Sequence, residues 1–128
     1  TKAEEIYRAI LEGMAFQMYL SYERLKSLGT EMESIVATGG GAVSDLTLQI
    51  RADVFDMKVM SLENEESGTL ACMIMAAAGV GAYPSIQDGI KRAVKIKKVF
   101  TPDSEMHAYY MEKFRKYKLL YEKMYDFK

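Results

Sequence analysis

The residues with the most chemical potential form one run, Thr38-Gly39-Gly40-Gly41-Ala42-Val43-Ser44-Asp45. Three successive glycines permit backbone angles and a close approach that side chains would block. The run joins a short apolar stretch, residues 35–38, to a helical pattern that starts at residue 45. The first amides of such a helix are free donors. A ligand-facing loop at the carboxyl end of a parallel strand has this form. No Lys-Ser/Thr follows the glycines and the GxGxxG spacing is absent, so this is neither a Walker loop nor a dinucleotide fingerprint. No basic residue occurs between Glu33 and Gln49, and Asp45 stands at the helix start, so a triphosphate finds little compensating charge here. An uncharged ligand part, such as an adenosine ring and ribose, suits the loop better. A tight structural turn accounts for the spacing equally well.

The remaining reactive residues offer less. Glu63-Asn64-Glu65-Glu66 places acidic residues at the start of a helix, where they complement the macrodipole and disfavour phosphate. Cys72 and His107 have no metal-ligand spacing, and His107, the only histidine, has no serine or cysteine arrangement around it. No carboxylate pair sits isolated in an apolar segment as a tuned acid or base would. Lys91, Arg92, Lys95, Lys97 and Lys98 make a basic patch, and the last helix interleaves tyrosine with lysine. Helical spacing of the tyrosines and the neighbouring glutamates make this a packed and solvated face, not a nucleic-acid platform.

The elements that must position the loop follow from periodicity. Residues 3–28 read as one long helix in which Ile6, Ile10, Met14 and Gln17 or Met18 recur at helical spacing. Leu11, Ala15, Phe16, Tyr19 and Tyr22 widen its apolar surface, as in a helix packed on more than one side. Gly29 supplies a stop. Short strands are expected at residues 35–38 and 58–62, with a helix over 45–56 between them. That order implies a right-handed parallel crossover. Helices follow over roughly 66–80, over 85–94 with Ser85 as N-cap, and from Pro102 to the end, where Tyr110, Phe114, Tyr117, Tyr121 and Met124 share a side. The small-residue run 71–78 suits close helix packing. Two short strands make a poor sheet alone, so the layer is expected to draw further strands from elsewhere, and its exposed edges imply self-association as a homo-oligomer.

Composition limits the alternatives. A hydrophobic share of 49% with 27% charged residues is too apolar for a disordered chain. Seventeen basic and eighteen acidic residues leave a formal charge of -1, which gives no general attraction to nucleic acid or to anionic lipid. One cysteine, no secretory signal pattern, and an uncharged stretch over 68–83 that is too short for a membrane span lead to the expectation of a cytoplasmic protein.

Three stretches together resemble the FGGY carbohydrate kinases. Arg8-Ala-Ile-Leu-Glu-Gly-Met-Ala-Phe16 is similar to their "RAxLEGxAF" helix, and Thr38 to Ser44 followed by Gln49-Ile-Arg-Ala-Asp-Val54 to their "TGGGAxS…QxxADV" loop. Residues 66–71 and 79–83 resemble the "EExxALGAA…GxGxY" segment, and Val99-Phe-Thr-Pro102 the "xxFxP" before the last helix. The likeness runs in order along the chain and reads closest to xylulokinases, although gluconate and fuculose kinases share these elements. It implies an α/β fold: part of a ribonuclease H-like (actin-like ATPase) layer, with short parallel strands flanked by helices and a helical C-terminus. Residues 1–128 would be the C-terminal portion of the family's nucleotide-binding domain. Gly39, Gly40, Gly41 and Ala42 would line the adenosine pocket, with Ser44 or Asp45 near the base. ATP and Mg2+ would be the cofactors of the complete enzyme. Sugar-binding residues, a catalytic aspartate and phosphate hairpins belong to an upstream half, so the resemblance implies a segment that is inactive alone. A non-catalytic oligomerising or interaction module is the competing expectation.

Overall fold

The first helix, α1, spans Ala3–Ser27 and ends where Gly29 turns left-handed at φ 89°. In the computed structural model, which describes residues 2–42, 44–64 and 66–125, the chain continues through β1 (Ser34–Ala37), a single 3-10 turn over Gly40–Ala42, α2 (Asp45–Phe55) and β2 (Lys58–Leu62). Then come α3 (Ser67–Gly79), α4 (Ile86–Ala93), β3 (Ile96–Phe100) and α5 (Ser104–Tyr125). Val43 and Glu65, read above as part of the loop and of the acidic helix start, lie outside the described residues. Among those described, no helix is long and apolar enough to cross a membrane.

The expected parallel crossover is present: β1 and β2 run parallel, with Ile35 opposite Val59 and Ala37 opposite Ser61. The sheet has a third strand that the sequence reading did not assign. β3 pairs with β2 antiparallel, so the sheet is mixed, in the order β1-β2-β3. Ile-Lys-Lys-Val-Phe lacks clean alternation because of its paired lysines. An edge strand tolerates such residues, since its pairing rests on backbone groups and edge lysines blunt unwanted strand addition.

Two faces of the sheet differ. Val59 and Ala37 face α2 and pack with Leu48 and Ala52. On the other face Val36, Met60 and Val99 form one row across all three strands by register, and Val36 and Val99 are exposed. The larger core joins α1, α2 and α5 through Phe16, Tyr22, Ile50, Val54, Phe55, Tyr110 and Phe114. Only one side of α1 is covered. Leu11, Ala15 and Phe16 point inward, whereas the periodic series Ile6, Ile10, Met14 and Met18 faces outward.

The third helix begins later than its acidic residues suggest. Asn64 accepts the amide of Glu66, which occupies the N-cap, so no acidic residue lies in the first turn of α3. Of the small-residue run, only Ile74 is buried, against Gly89 of α4. A Cβ on Gly89 would stand 2.7 Å from Cγ2 of Ile74 and 2.8 Å from the Tyr83 ring. Overpacking costs about 1–3 kcal/mol, offset in part by the roughly 0.5–1 kcal/mol that alanine gains over glycine in a helix. Gly89→Ala is therefore expected to lower stability by about 1–2 kcal/mol in urea unfolding; an unchanged midpoint would show that α3 and α4 separate freely.

Candidate functional site

The glycine run closes a tight turn. Gly39 adopts φ 73°, a left-handed angle that suits glycine, and its carbonyl accepts the Ala42 amide at 2.9 Å. Ser44 then caps α2, its hydroxyl accepting the Thr47 amide at 3.4 Å. Gly39, Gly40 and Gly41 are exposed and Ala42 is half-buried. The turn is thus presented at the surface, at the carboxyl end of β1, not sealed in the core.

A small cleft of about 90 Å³ opens there. Ala37, Thr38, Gly39 and Ala42 line it, with Asp45 at the start of α2. Ser61, Leu62 and Asn64, at the carboxyl end of β2, line it as well. The cleft therefore occupies the position where open α/β sheets place ligands. Of the six residues singled out in the sequence, Gly39, Ala42 and Asp45 line it. Gly40 and Gly41 lie on the turn beside it, and Ser44 serves the helix cap. A Cβ on Gly40 would meet nothing within 4 Å, whereas one on Gly41 would lie 3.2 Å from the Arg51 guanidinium. Burial lowers the proton affinity of that guanidinium below the usual arginine value.

The cleft carries more positive charge than spacing along the chain suggests. No basic residue is near the loop along the chain, yet β3 brings Lys97 and Lys98 into the cleft. Lys98 Nζ lies 2.9 and 2.7 Å from the two carboxylate oxygens of Asp45. These lysines were expected on a solvated face; both remain exposed, but they also line the cleft. The cause is a register shift at Ser61/Leu62, where Ser61 opposes Lys98 and Leu62 opposes Ile96. A bulge of this kind lets neighbouring residues share a side that regular alternation would separate. Thr38, Ser61, Leu62, Asn64 and the two lysines also line the cleft and were not singled out in the sequence. Only Thr38 carried a sequence signal, its place before the glycines.

Other motif residues act elsewhere. Asp53, buried in α2, accepts from Gln49 Nε2 at 2.8 Å and from the Asp103 amide at 2.9 Å, and Gln49 also donates to the Thr101 carbonyl. His107 Nδ1 lies 2.9 Å from the Asp53 carbonyl. Together these contacts tie α2 to the start of α5. Arg8 and Glu12 tie α1 to α5 through Tyr110 and Lys113. Burial, the largest influence, raises the Tyr110 hydroxyl above its ordinary phenolic range. Among the described residues, no group of three histidine, cysteine or acidic side chains could hold a metal ion.

These elements form an α/β layer of the actin-like ATPase fold, with a glycine turn at the carboxyl end of its first strand. The sequence model of the C-terminal domain of the FGGY family of carbohydrate kinases matches residues 1–80, and the chain belongs to that family. It is 34% identical over 122 residues to a xylulose kinase of Staphylococcus epidermidis, a match that takes in 95% of this chain and 24% of that protein. Two solved structures from Lactobacillus acidophilus, a gluconate kinase and a ligand-bound xylulose kinase, each superpose with a TM-score of 0.84 at 28% identity, over 94% of this chain and 24% of theirs. The chain thus spans about a quarter of the length of the curated relatives it matches.

Proposed function

We propose that the whole protein transfers a phosphoryl group from ATP to a hydroxyl of a sugar, with xylulose as the first substrate to test. Residues 1–128, the C-terminal part of its nucleotide-binding domain, would supply the adenosine side of the cleft. The observation that carries this reading is the exposed glycine turn beside a cleft at the carboxyl ends of two parallel strands. Bare backbone at Gly39 and Gly40 lets a flat purine nucleoside approach closely. At about 90 Å³ the cleft is well below the ~300–1,000 Å³ of pockets that enclose small molecules, as suits one wall of a larger site.

The remaining parts belong outside this segment. Proton abstraction from the sugar hydroxyl requires a positioned base, and phosphoryl transfer depends mainly on positioning and charge stabilisation. The described residues offer no metal cluster, so Mg2+ would travel with the ATP phosphates and be held by the rest of the polypeptide. The outward stripe of α1 and the apolar row across the sheet are where that polypeptide would pack, since apolar patches of this kind are rarely left bare.

The test uses the full-length protein, ATP, and D-xylulose against D-gluconate. Sugar-dependent ADP release is expected, with xylulose preferred. Thr38→Trp places an indole in the cleft from an exposed position. It should weaken ATP binding by about tenfold or more, while sugar binding stays within about twofold. No turnover with either sugar, or ATP affinity indifferent to the tryptophan, would overturn the reading.

A further inference from the structure

Lys98 enters the cleft from β3, an edge strand of the sheet, and it is held there by geometry. Pairing with Ser61 puts it on the sheet face covered by α2, at the end where α2 begins. Its ammonium meets both oxygens of Asp45, 53 residues away in sequence. Asp45 has no capping duty, because Ser44 already accepts the amide of Thr47. A carboxylate also retains lone pairs for further donors after meeting one ammonium. The ion pair therefore leaves an oriented acceptor on the wall of the cleft.

We propose that Lys98 is a positioning residue for the nucleoside end of the bound nucleotide: by pinning the Asp45 carboxylate at the mouth of the glycine turn, it sets affinity for the base and ribose and not for the phosphates. The proposal rests on the reading of the turn as a nucleoside site. The charge pattern favours the nucleoside end. The Lys98 ammonium is engaged by Asp45, while the lining from the end of β2 is the uncharged Ser61, Leu62 and Asn64, with Glu63 and Glu66 close by in the chain. An anionic phosphate would meet Asp45 as well as the lysines. Ribose hydroxyls or a base amino group would instead find in Asp45 an acceptor they can donate to.

The test measures the affinity of the full-length protein for adenosine and for ADP by calorimetry, in wild type and in Lys98→Met, Lys98→Arg and Asp45→Asn. Lys98→Met keeps the aliphatic stem and removes the charge at an exposed edge position. It is expected to weaken adenosine and ADP by the same factor, about three- to fivefold, as befits an exposed pair. Lys98→Arg should restore both to within about twofold, because it keeps the ion pair. In the Asp45→Asn background, Lys98→Met should cause no further loss, the mark of two residues acting as one. Weakening of ADP alone would make Lys98 a phosphate contact and overturn the proposal, as would additive losses or unchanged affinities. Failure of the wild type to bind either ligand would remove the nucleoside reading itself, an outcome separable from the failure of Lys98.

Discussion

Phe114→Ala should destabilise the protein by about 3–5 kcal/mol, the range for a large aromatic deleted from a packed core. Phe114 is 2% exposed and lies where α1, α2 and α5 meet. Its ring sits edge-on to Tyr19 at 5.0 Å between centroids and tilted to Phe16 at 5.8 Å. Lys118 adds its ammonium 4.9 Å from the ring centre. Domains of this size are stable by roughly 5–15 kcal/mol, so the truncation removes a large part of the whole. Phe114→Leu retains most of the volume and should cost less than about 1.5 kcal/mol. Urea unfolding of the two variants checks the contrast. Equal losses would show that ring volume is not what holds these helices together.

Glu12→Ala is expected to cost about 2–3 kcal/mol. Glu12 is a buried carboxylate, 7% exposed, that accepts from Arg8 Nε at 3.0 Å, Lys113 Nζ at 3.1 Å and the Tyr110 hydroxyl at 3.3 Å. Its bond to Arg8, followed by the bond that Arg8 donates to the Tyr110 hydroxyl, holds the guanidinium proton more firmly than usual. Breaking a fully buried pair costs about 3–5 kcal/mol because a charge is stranded without water. Here the side chains of Arg8 and Lys113 are 47% and 40% exposed, so water can take over part of their solvation. The lower range follows. Tyr110→Phe added to Glu12→Ala should cost less than the sum of the single changes, since both remove one network. Additive losses would mean that the contacts act separately.

These two predictions concern the frame, and the structure separates frame from cleft among the family motif residues. Arg8 and Glu12 join α1 to α5, while Gln49 and Asp53 join α2 to α5. The glycine turn rides on the N-terminus of α2, so the Gln49 and Asp53 bonds, which hold α2 to the start of α5, bear on its seat. A substitution at Asp53 would accordingly disturb the cleft indirectly, through the seat of α2, without touching anything bound there.

Local chemistry was enough to place much of this. The left-handed angles of Gly29 and Gly39, the cap at Ser85, and the tyrosine side of α5 depend on nearest neighbours and helical period, both of which are written along the chain. The parallel crossover followed too, because a short helix between two strands leaves little other choice. What the tertiary structure decided was which apolar stripe of α1 turns inward. Ile6, Ile10, Met14 and Met18 are as periodic as the buried residues, and only the presence of α2 and α5 on the other side selects Leu11, Ala15 and Phe16. It also decided the charge of the cleft. Strand pairing is made by backbone groups that every residue carries, so a lysine pair in β3 gives no sign of its partner. Register and one bulge, not spacing along the chain, bring Lys98 to Asp45.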